Sequence, residues 1–202
     1  MRADTELESY RLELRAWLEA NIPAWWRAER WMTLFEVPES RFSDLREWQG
    51  VLHRAGYMGL LWPREYGGRG LSLEHELIRA EEFQRAKAPP LANVLGLTLC
   101  APALLEFGTE KQKLRHLEKI LSAEEIWVQG YSEPGAGSDL AGLSTRAELD
   151  GDEYVVNGQK IWTTSGMHGD WIFCLVRTDP TVKKQSGIGF LLIDLATPGV
   201  EV

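Results

Sequence analysis

The stretch ILSAEEIWVQGYSEPGAGSDL, residues 120–140, contains the change of pattern on which the fold depends. Before Ile126, apolar residues recur at the three- and four-residue spacing of amphipathic helices, whereas from Trp127 onward β-branched and aromatic residues alternate with polar ones. The sequence therefore predicts an α+β fold, with an all-helical N-terminal domain over residues 1–126 and an antiparallel β-barrel or sandwich domain over 127–202. The β domain is predicted to be incomplete at its C-terminus, because further strands would be needed to close its edges.

Residues with capping chemistry mark the helix ends in the N-terminal half. Thr5 followed by Glu8 has the spacing of a capping box, which predicts the start of the first helix. Gly56 is placed to end a helix, and Ser72 and Thr109 are placed to cap the starts of two later helices.

Apolar spacing predicts which helical surfaces are buried. The apolar residues that recur at helical spacing in the first helix are Leu7, Tyr10, Leu14, Trp17 and Leu18. In the last predicted helix, Leu114, Leu117 and Leu121 lie on one face and are expected to pack inward. The segment 91–107 is nearly all apolar and is expected to be buried on all sides. The tryptophan-rich stretch 23–39 is interpreted as an irregular aromatic anchor.

Strand signals follow one another in the second half. The segments STRAEL and EYVVNG flank the pair Asp150-Gly151, which predicts a β-hairpin because glycine adopts the positive φ of a tight turn at low cost. The apolar runs WIFCLVRTD (171–179) and GIGFLLIDL (187–195) predict two further, well-buried strands.

Composition excludes several classes of function. The formal net charge is −8, from 22 Lys and Arg against 30 Asp and Glu, and no run is dense in basic residues, so nucleic-acid binding is not expected. Neither a secretory signal nor an apolar run long enough to span a membrane is present, which predicts a cytoplasmic protein. Cys100 and Cys174 lie in apolar runs and are predicted to be buried thiols. The four histidines form no cluster with metal-ligand spacing, so no metal site is expected.

Two segments carry most of the chemical signal. GYSEPGAGSDL (130–140) combines three glycines with a proline after a predicted strand, and such a loop exposes backbone N–H groups to an anion or a polar heterocycle. In NGQKIWTTSG (157–166), a predicted strand presents Trp162 and Thr164 on one face, where a planar cofactor would stack and hydrogen-bond. The alternatives are a tight loop shaped by backbone geometry alone and a core tryptophan beside threonines that favour strands.

The adjacent acids have no evident catalytic pairing. Glu81 with Glu82, and Glu124 with Glu125, are predicted to lie on solvated helix faces. Glu133 lies inside the glycine-rich loop, and no carboxylate partner for it is visible in the sequence.

Taken together, GYSEPGAGSDL and GDEYVVNGQKIWTTSG (151–166) resemble the two signature segments of the acyl-CoA dehydrogenases. LLWPREYGGRGLS (60–72) and GIGFLLIDLATPGVEV (187–202) fit the same family in order and spacing. The resemblance implies FAD as cofactor and oxidation of an acyl-CoA thioester to the trans-2-enoyl-CoA, with electrons passed to an electron-transferring flavoprotein. It also implies assembly into a homo-oligomer or hetero-oligomer. A non-catalytic assembly subunit and an oxygen-using oxidase of the same superfamily are the alternatives.

The resemblance also implies roles for individual residues. The cofactor-binding candidates are Gln129, Gly130, Tyr131, Ser132, Trp162, Thr163 and Thr164. Among them, Ser132 is similar to the residue near the flavin pyrimidine edge, Trp162 to the tryptophan beside the isoalloxazine, and Thr164 to the donor to flavin N5. Ser138 resembles the serine that contacts the CoA portion of the substrate. Candidates for the acyl tunnel are Leu95, Thr98 and Leu99.

No residue of this sequence matches the glutamate base of the family. In the family that base belongs to a C-terminal helical domain, which is expected to be absent from these 202 residues. The chain alone is therefore expected to be inactive.

Overall fold

The change of pattern near Ile126 is also the boundary between two structural units. The computed structural model describes residues 2–29 and 36–202. A helical unit extends to Glu125 and a β unit begins at Ile126. The predicted α+β class is confirmed, because all described strands lie in the β unit. None of the described helices is both long enough and apolar enough to cross a membrane.

The described residues of the helical unit form six α-helices. They are α1 (Arg2–Asn21), α2 (Ala24–Glu29), α3 (Phe42–Arg54), α4 (Leu73–Ala86), α5 (Ala101–Phe107) and α6 (Glu110–Ser122). Leu14 and Leu18 of α1 are fully buried, as their spacing predicts, and they pack in one core with Trp48 and Leu52 of α3.

The capping predictions have mixed outcomes. Thr109 caps α6 through a complete capping box with Gln112, as predicted for this position. Gly56 has φ +79° just after α3, where the amide of Tyr57 donates to the carbonyl of Leu52 (2.9 Å) in a Schellman arrangement.

Two other capping predictions differ from the structure. The capping box predicted for Thr5 is wrong, since α1 begins at Arg2. Ser72 occupies the N-cap position of α4, but its hydroxyl contacts Nδ1 of His75 (3.0 Å) and makes no bond to a helix amide.

The segment 91–107 is less buried than its composition predicts. It contains a π-helical turn (Gly96–Cys100) that leads into α5, whose first turn carries Pro102, a residue with no N–H to donate. Val94, Leu99 and Phe107 are exposed to 36%, 41% and 85%, so the prediction of burial on all sides is wrong.

Two further sequence predictions in the helical unit need correction. In α6 the buried positions are His116, Leu117, Ile120 and Leu121, whereas Leu114 is 60% exposed. Of the predicted aromatic anchor over 23–39, Trp25 and Trp26 lie in a regular helix, α2, and Trp31 lies outside the described residues.

The β unit contains five strands in one sheet. They are β1 (Trp127–Gly130), β2 (Arg146–Asp150), β3 (Glu153–Asn157), β4 (Trp171–Arg177) and β5 (Ile188–Asp194). The central strand β4 pairs along its length with β5, antiparallel, and at its start with β1, parallel. β2 and β3 form the predicted hairpin, and β2 joins β4 through a single parallel pair. The sheet is mixed, so the prediction of an antiparallel sheet is only partly correct. The parallel pairs arise because β4 runs in the same direction as β1 and β2.

The predicted strand through Trp162 does not form. Residues 158–165 are irregular, and the polypeptide turns through a short 3₁₀ segment, Gly166–His168, before β4 begins. The alternation argument that placed Trp162 and Thr164 on one strand face therefore does not apply.

Candidate functional site

The glycine-rich loop begins where β1 leaves the sheet. Gly130 faces β4 closely: a Cβ atom there would lie 2.7 Å from Cδ1 of Ile172, so a larger residue would require that side chain to shift. The ring of the next residue, Tyr131, meets Phe173 edge to face at a centroid distance of 5.8 Å. Both contacts fix the first residues of the loop against the central strand of the sheet.

The structure brings the two sequence segments together in the β unit. The amide of Ile161 donates to the carbonyl of Ser132 (2.9 Å), and Nζ of Lys160 donates to the carbonyl of Tyr131 (3.2 Å). Two successive residues of one segment therefore hold two successive carbonyls of the other. Trp162, Thr163 and Thr164 follow Ile161 directly in the chain.

A buried ion pair lies beneath this junction. Lys160 Nζ contacts Oε1 of Glu133 at 2.7 Å, and the two side chains are only 8% and 4% exposed. The carboxylate also accepts bonds from the amides of Ser144 (2.7 Å) and Thr145 (2.9 Å) and from the Ser144 hydroxyl. Burial alone would raise the pKa of Glu133, but the ammonium and these hydrogen bonds hold it well below its ordinary value.

Trp162 has an unusual conformation for an aromatic residue. Its φ is +59°, in the left-handed region, and 86% of its surface is exposed. The left-handed conformation costs about 1–3 kcal/mol for a residue other than glycine. Core packing does not offset this cost, because the indole lies at the surface, and so the interpretation as a core tryptophan is wrong. An exposed indole provides a flat surface for a planar ligand.

The rest of the glycine-rich loop leaves its backbone accessible. No atom lies within 4 Å of the Cβ position at Gly135 or Gly137, so both peptide segments border open space. Ser138 follows them and is exposed. At the other signature segment, Gly158 packs against Thr145 so closely that a Cβ would lie 2.6 Å from the Thr145 Cα, which fixes where that segment begins.

Not all predicted candidates lie in this arrangement. Gln129 and Gly130 are strand residues paired with Phe173 and Cys174 of β4. The hydroxyl-bearing residues Thr163 and Thr164 are half-buried in the irregular segment, where the Thr163 carbonyl accepts from the Gly166 amide (3.0 Å).

The proposed acyl-tunnel residues belong to the helical unit. A cavity of about 250 Å³ in that unit is lined by Thr98 together with apolar residues such as Leu60, Leu91 and Val94. Thr98 directs its hydroxyl to the Val94 carbonyl (2.7 Å), which satisfies it within the helix. Among the described residues that line this cavity, Leu95 and Leu99 do not occur.

Two acids predicted to be solvated are in fact buried. Glu82 is 1% exposed and accepts hydrogen bonds from three arginines. Glu125 is 7% exposed, and its carboxylate contacts Nδ1 of His116 at 2.8 Å. Arg15 has the largest influence on the pKa of Glu82, which is lowered to about 2. Burial would raise the pKa of Glu125, but His116 and Lys119 hold it below its ordinary value.

Both cysteines lie in the part of the chain that the structure describes. Cys100 and Cys174 are free and buried, as predicted, and burial raises the pKa of the Cys100 thiol to about 12. Within residues 2–29 and 36–202, no three His, Cys, Asp or Glu side chains group in a way that could hold a metal ion.

Sequence reasoning missed Lys160 as a functional candidate. Among the described residues, no carboxylate pairs with Glu133; its partner is a cation, the ammonium of Lys160, 27 residues away. A signal was present, because each member of the pair lies inside one of the two signature segments.

Comparison with known proteins identifies relatives of both units. Residues 4–124 match the family described as acyl-CoA dehydrogenase, N-terminal domain, and residues 129–202 match acyl-CoA dehydrogenase, middle domain. Acyl-CoA dehydrogenase IpdE1 of Mycobacterium tuberculosis is 42% identical over 197 residues, which cover 98% of this chain and 51% of that protein.

Two solved structures are also similar to the chain. The Tcur3481-Tcur3483 steroid ACAD matches with a TM-score of 0.78 and 38% identity, covering 95% of this chain and 48% of that one. The ChsE4-ChsE5 complex from Mycobacterium tuberculosis matches with a TM-score of 0.76 and 37% identity, covering 95% and 47%. The chain thus spans about half the length of the relatives that it matches.

Proposed function

The chain belongs to the acyl-CoA dehydrogenase family, and on that premise we propose that it forms part of an FAD-dependent enzyme that oxidises an acyl-CoA thioester to the trans-2-enoyl-CoA. Within that enzyme, its β unit would hold the flavin. The observation that carries this proposal is the junction of the two signature segments. There a side-chain donor, Lys160, and a backbone donor, Ile161, hold the carbonyls of Tyr131 and Ser132, and the exposed Trp162 follows Ile161 in the chain.

The residues present fit a flavin in shape and in chemistry. A flavin ring is planar and carries acceptors and donors along its edge, so it needs a flat apolar surface beside polar groups. The exposed indole of Trp162 offers that surface, and its left-handed backbone has no explanation in core packing. Ser132 and Thr164 offer hydroxyls on the two segments that meet.

Each candidate would then have a distinct task. Gln129, Gly130, Tyr131 and Ser132 would lie along the flavin, with Ser132 donating to its pyrimidine edge. Thr163 and Thr164 would face the ring, with Thr164 donating to N5, while Trp162 covers one face and excludes water. When bound, FAD would accept the hydride equivalent that leaves the β-carbon of the thioester.

The chain's donors would help that chemistry electrostatically. Reduction places negative charge on the flavin, and preorganised N–H and O–H groups stabilise such charge without reorganising at the moment of reaction. Ser138, exposed on the glycine-rich loop, would bind the CoA portion of the substrate. The carboxylate base that removes the α-proton would come from a portion of the enzyme outside these 202 residues.

The electron acceptor and the substrate are further parts of the proposal. We expect electron-transferring flavoprotein to reoxidise the enzyme, and we expect the working form to be an oligomer, since one related structure is the ChsE4-ChsE5 complex. A relative named steroid ACAD makes a steroid-type acyl-CoA the first thioester to test.

The test begins with the intact mass and the visible absorption spectrum of the purified gene product. Flavin bands that bleach when an acyl-CoA is added without oxygen are expected. Peroxide formed in air without electron-transferring flavoprotein would instead indicate the oxidase. A protein that binds neither flavin nor acyl-CoA would overturn the dehydrogenase proposal and favour an assembly subunit.

A pair of variants tests the site itself. Trp162→Ala should weaken FAD binding, because it removes the stacking surface. Phe107→Ala is the matched control, since Phe107 is an equally exposed aromatic residue in the helical unit (85% against 86%). Equal FAD affinity in both variants would contradict the assignment of Trp162.

A further inference from the structure

We propose that Lys160 is a positioning residue for the flavin-binding segment: its ammonium holds the Tyr131 carbonyl and thereby fixes the direction in which the Ser132 amide points. This inference rests on the proposed function, since it assigns a role toward the flavin to a residue that does not itself belong to the predicted cofactor contacts.

Peptide planarity provides the mechanical link. The carbonyl of Tyr131 and the N–H of Ser132 belong to one rigid peptide plane and point in opposite directions. Because Lys160 Nζ donates to that carbonyl at 3.2 Å, the Ser132 N–H is directed away from the ammonium. Rotation of this peptide would break a hydrogen bond to a charged donor, which is among the stronger kinds in proteins.

A neighbouring contact restrains the following peptide in the same way. The amide of Ile161 donates to the Ser132 carbonyl at 2.9 Å. Lys160 and Ile161 therefore fix the peptide planes on both sides of Ser132. The Ser132 hydroxyl is therefore attached to a backbone whose orientation two adjacent residues of the second signature segment restrain.

Glu133 in turn fixes the position of the ammonium. Its carboxylate is held by the backbone amides of Ser144 and Thr145 at 2.7 and 2.9 Å, so it cannot follow a moving lysine. Lys160 contacts it at 2.7 Å, and the lysine side chain is 8% exposed. Water is thus largely excluded, and the ammonium has two protein acceptors at fixed positions, Glu133 Oε1 and the Tyr131 carbonyl.

A simpler role for Lys160 would be to neutralise a buried carboxylate. A comparison of two variants separates the two roles. In Glu133→Gln and in Glu133→Gln/Lys160→Met the carboxylate is absent, and Ser144 and Thr145 face the same glutamine. The two proteins differ only in the Lys160 side chain, whose acceptors are the Tyr131 carbonyl and the oxygen of the side chain at position 133. Neutralisation of a carboxylate therefore cannot account for a difference between them.

The experiment measures FAD affinity by fluorescence quenching in the full-length gene product, and amide exchange at Ser132 in the same proteins without flavin. If Lys160 acts as a positioning residue, the double variant binds FAD about tenfold more weakly than Glu133→Gln, as expected for the loss of one charge-assisted hydrogen bond. Its Ser132 amide also exchanges faster. Equal affinity and equal exchange in the two variants would overturn the positioning role.

Further variants keep the test decisive if loss of Glu133 unfolds the β unit. Lys160→Gln keeps an N–H donor without the positive charge and should bind FAD more tightly than Lys160→Met, with Lys183→Met as the control for loss of an exposed lysine in the same unit. Equal affinity of the Gln and Met variants would overturn the inference, because neither of them neutralises Glu133. Failure of the unaltered protein to bind FAD would overturn the proposed function instead, so the two failures are distinguishable.

Discussion

Each unit of the molecule contains a buried carboxylate with cationic partners, and the partners differ in number and exposure. In the helical unit, Glu82 accepts bonds from three arginine side chains that are 26–42% exposed. In the β unit, Glu133 has one cationic partner, which is 8% exposed. The arginines of the helical unit are Arg11, Arg15 and Arg85.

The difference indicates two uses of the same chemistry. The Glu82 cluster joins α1 to α4, and the loss of one guanidinium leaves two others to compensate the charge. The Glu133–Lys160 pair has no second cation among the described residues, and its lysine also contacts the Tyr131 carbonyl beside an exposed, left-handed Trp162. Several interchangeable cations are suited to stabilising the packing of two helices. A single, buried cation is suited to a site in which one geometry must be maintained.

The largest expected effect is that of Lys160→Met on the β unit. It leaves a buried carboxylate without its cation, and breaking such a pair by removing one partner lowers the free energy of unfolding by about 3–5 kcal/mol. Urea unfolding of this variant, with hydrogen exchange over residues 129–145, measures the loss. Lys183→Met, at an exposed position, should change stability by less than about 0.5 kcal/mol. Similar stabilities for Lys160→Met and Lys183→Met would show that Glu133 does not depend on its single cation, which is the property that distinguishes it from Glu82.

Glu82→Gln should have the next largest effect, and the effect should depend on pH. The folded pKa of Glu82 is about 2, below the ordinary value of 4.5. Its contribution is therefore fully present above pH 4.5 and is lost as the pH falls through 2. We expect a loss of about 2 kcal/mol near neutral pH that shrinks toward pH 2. Unfolding curves recorded from pH 7 to pH 2 would contradict this if the gap between variant and parent stayed constant.

The buried ion pairs also show which features local sequence patterns cannot predict. Helical periodicity correctly placed Leu14 and Leu18 in the core, because local spacing determines which helix face they occupy. It failed for Leu114, since burial of an apolar residue depends on what packs against it. Glu82 looked like part of a solvated acidic pair because its bidentate partner, Arg15, is 67 residues away.

The site shows the same division between local and distant information. The signature segments and the hairpin at Asp150-Gly151 could be predicted, because short-range residue chemistry defines them. The parallel pairing of β1 with β4 could not, since strand propensity does not specify a partner. The strand predicted through Trp162 failed because the Ile161 amide bonds to the loop carbonyl of Ser132 and a left-handed residue interrupts the alternation.

Trp162→Gly, unlike the two preceding variants, should increase the stability of the β unit. Glycine adopts positive φ without the steric cost borne by tryptophan, so the flavin-free β unit should gain about 1 kcal/mol, after allowing for glycine's greater freedom in the unfolded chain. FAD affinity should fall in the same variant, since the stacking surface is lost. Thermal unfolding without flavin and a binding titration measure the two effects. If Trp162→Gly were less stable than the unaltered protein without flavin, Trp162 would stabilise the fold, and its left-handed backbone would not be a net cost.

The smallest effect is expected for Arg15→Met, and this variant tests the comparison most directly. Like Lys160→Met, it removes one cation from a buried carboxylate, and in this case the cation that donates twice to Glu82, at 2.9 and 2.7 Å. Arg11 and Arg85 remain within 3.2 and 2.7 Å of the carboxylate oxygens and compensate its charge. We therefore expect Arg15→Met to destabilise the protein less than Glu82→Gln and far less than Lys160→Met, as measured by urea unfolding and by exchange of the α1 and α4 amides. If Arg15→Met lowered the free energy of unfolding as much as Lys160→Met does, Arg11 and Arg85 would not compensate for the missing cation. The number of cations would then not explain a difference between the two buried carboxylates.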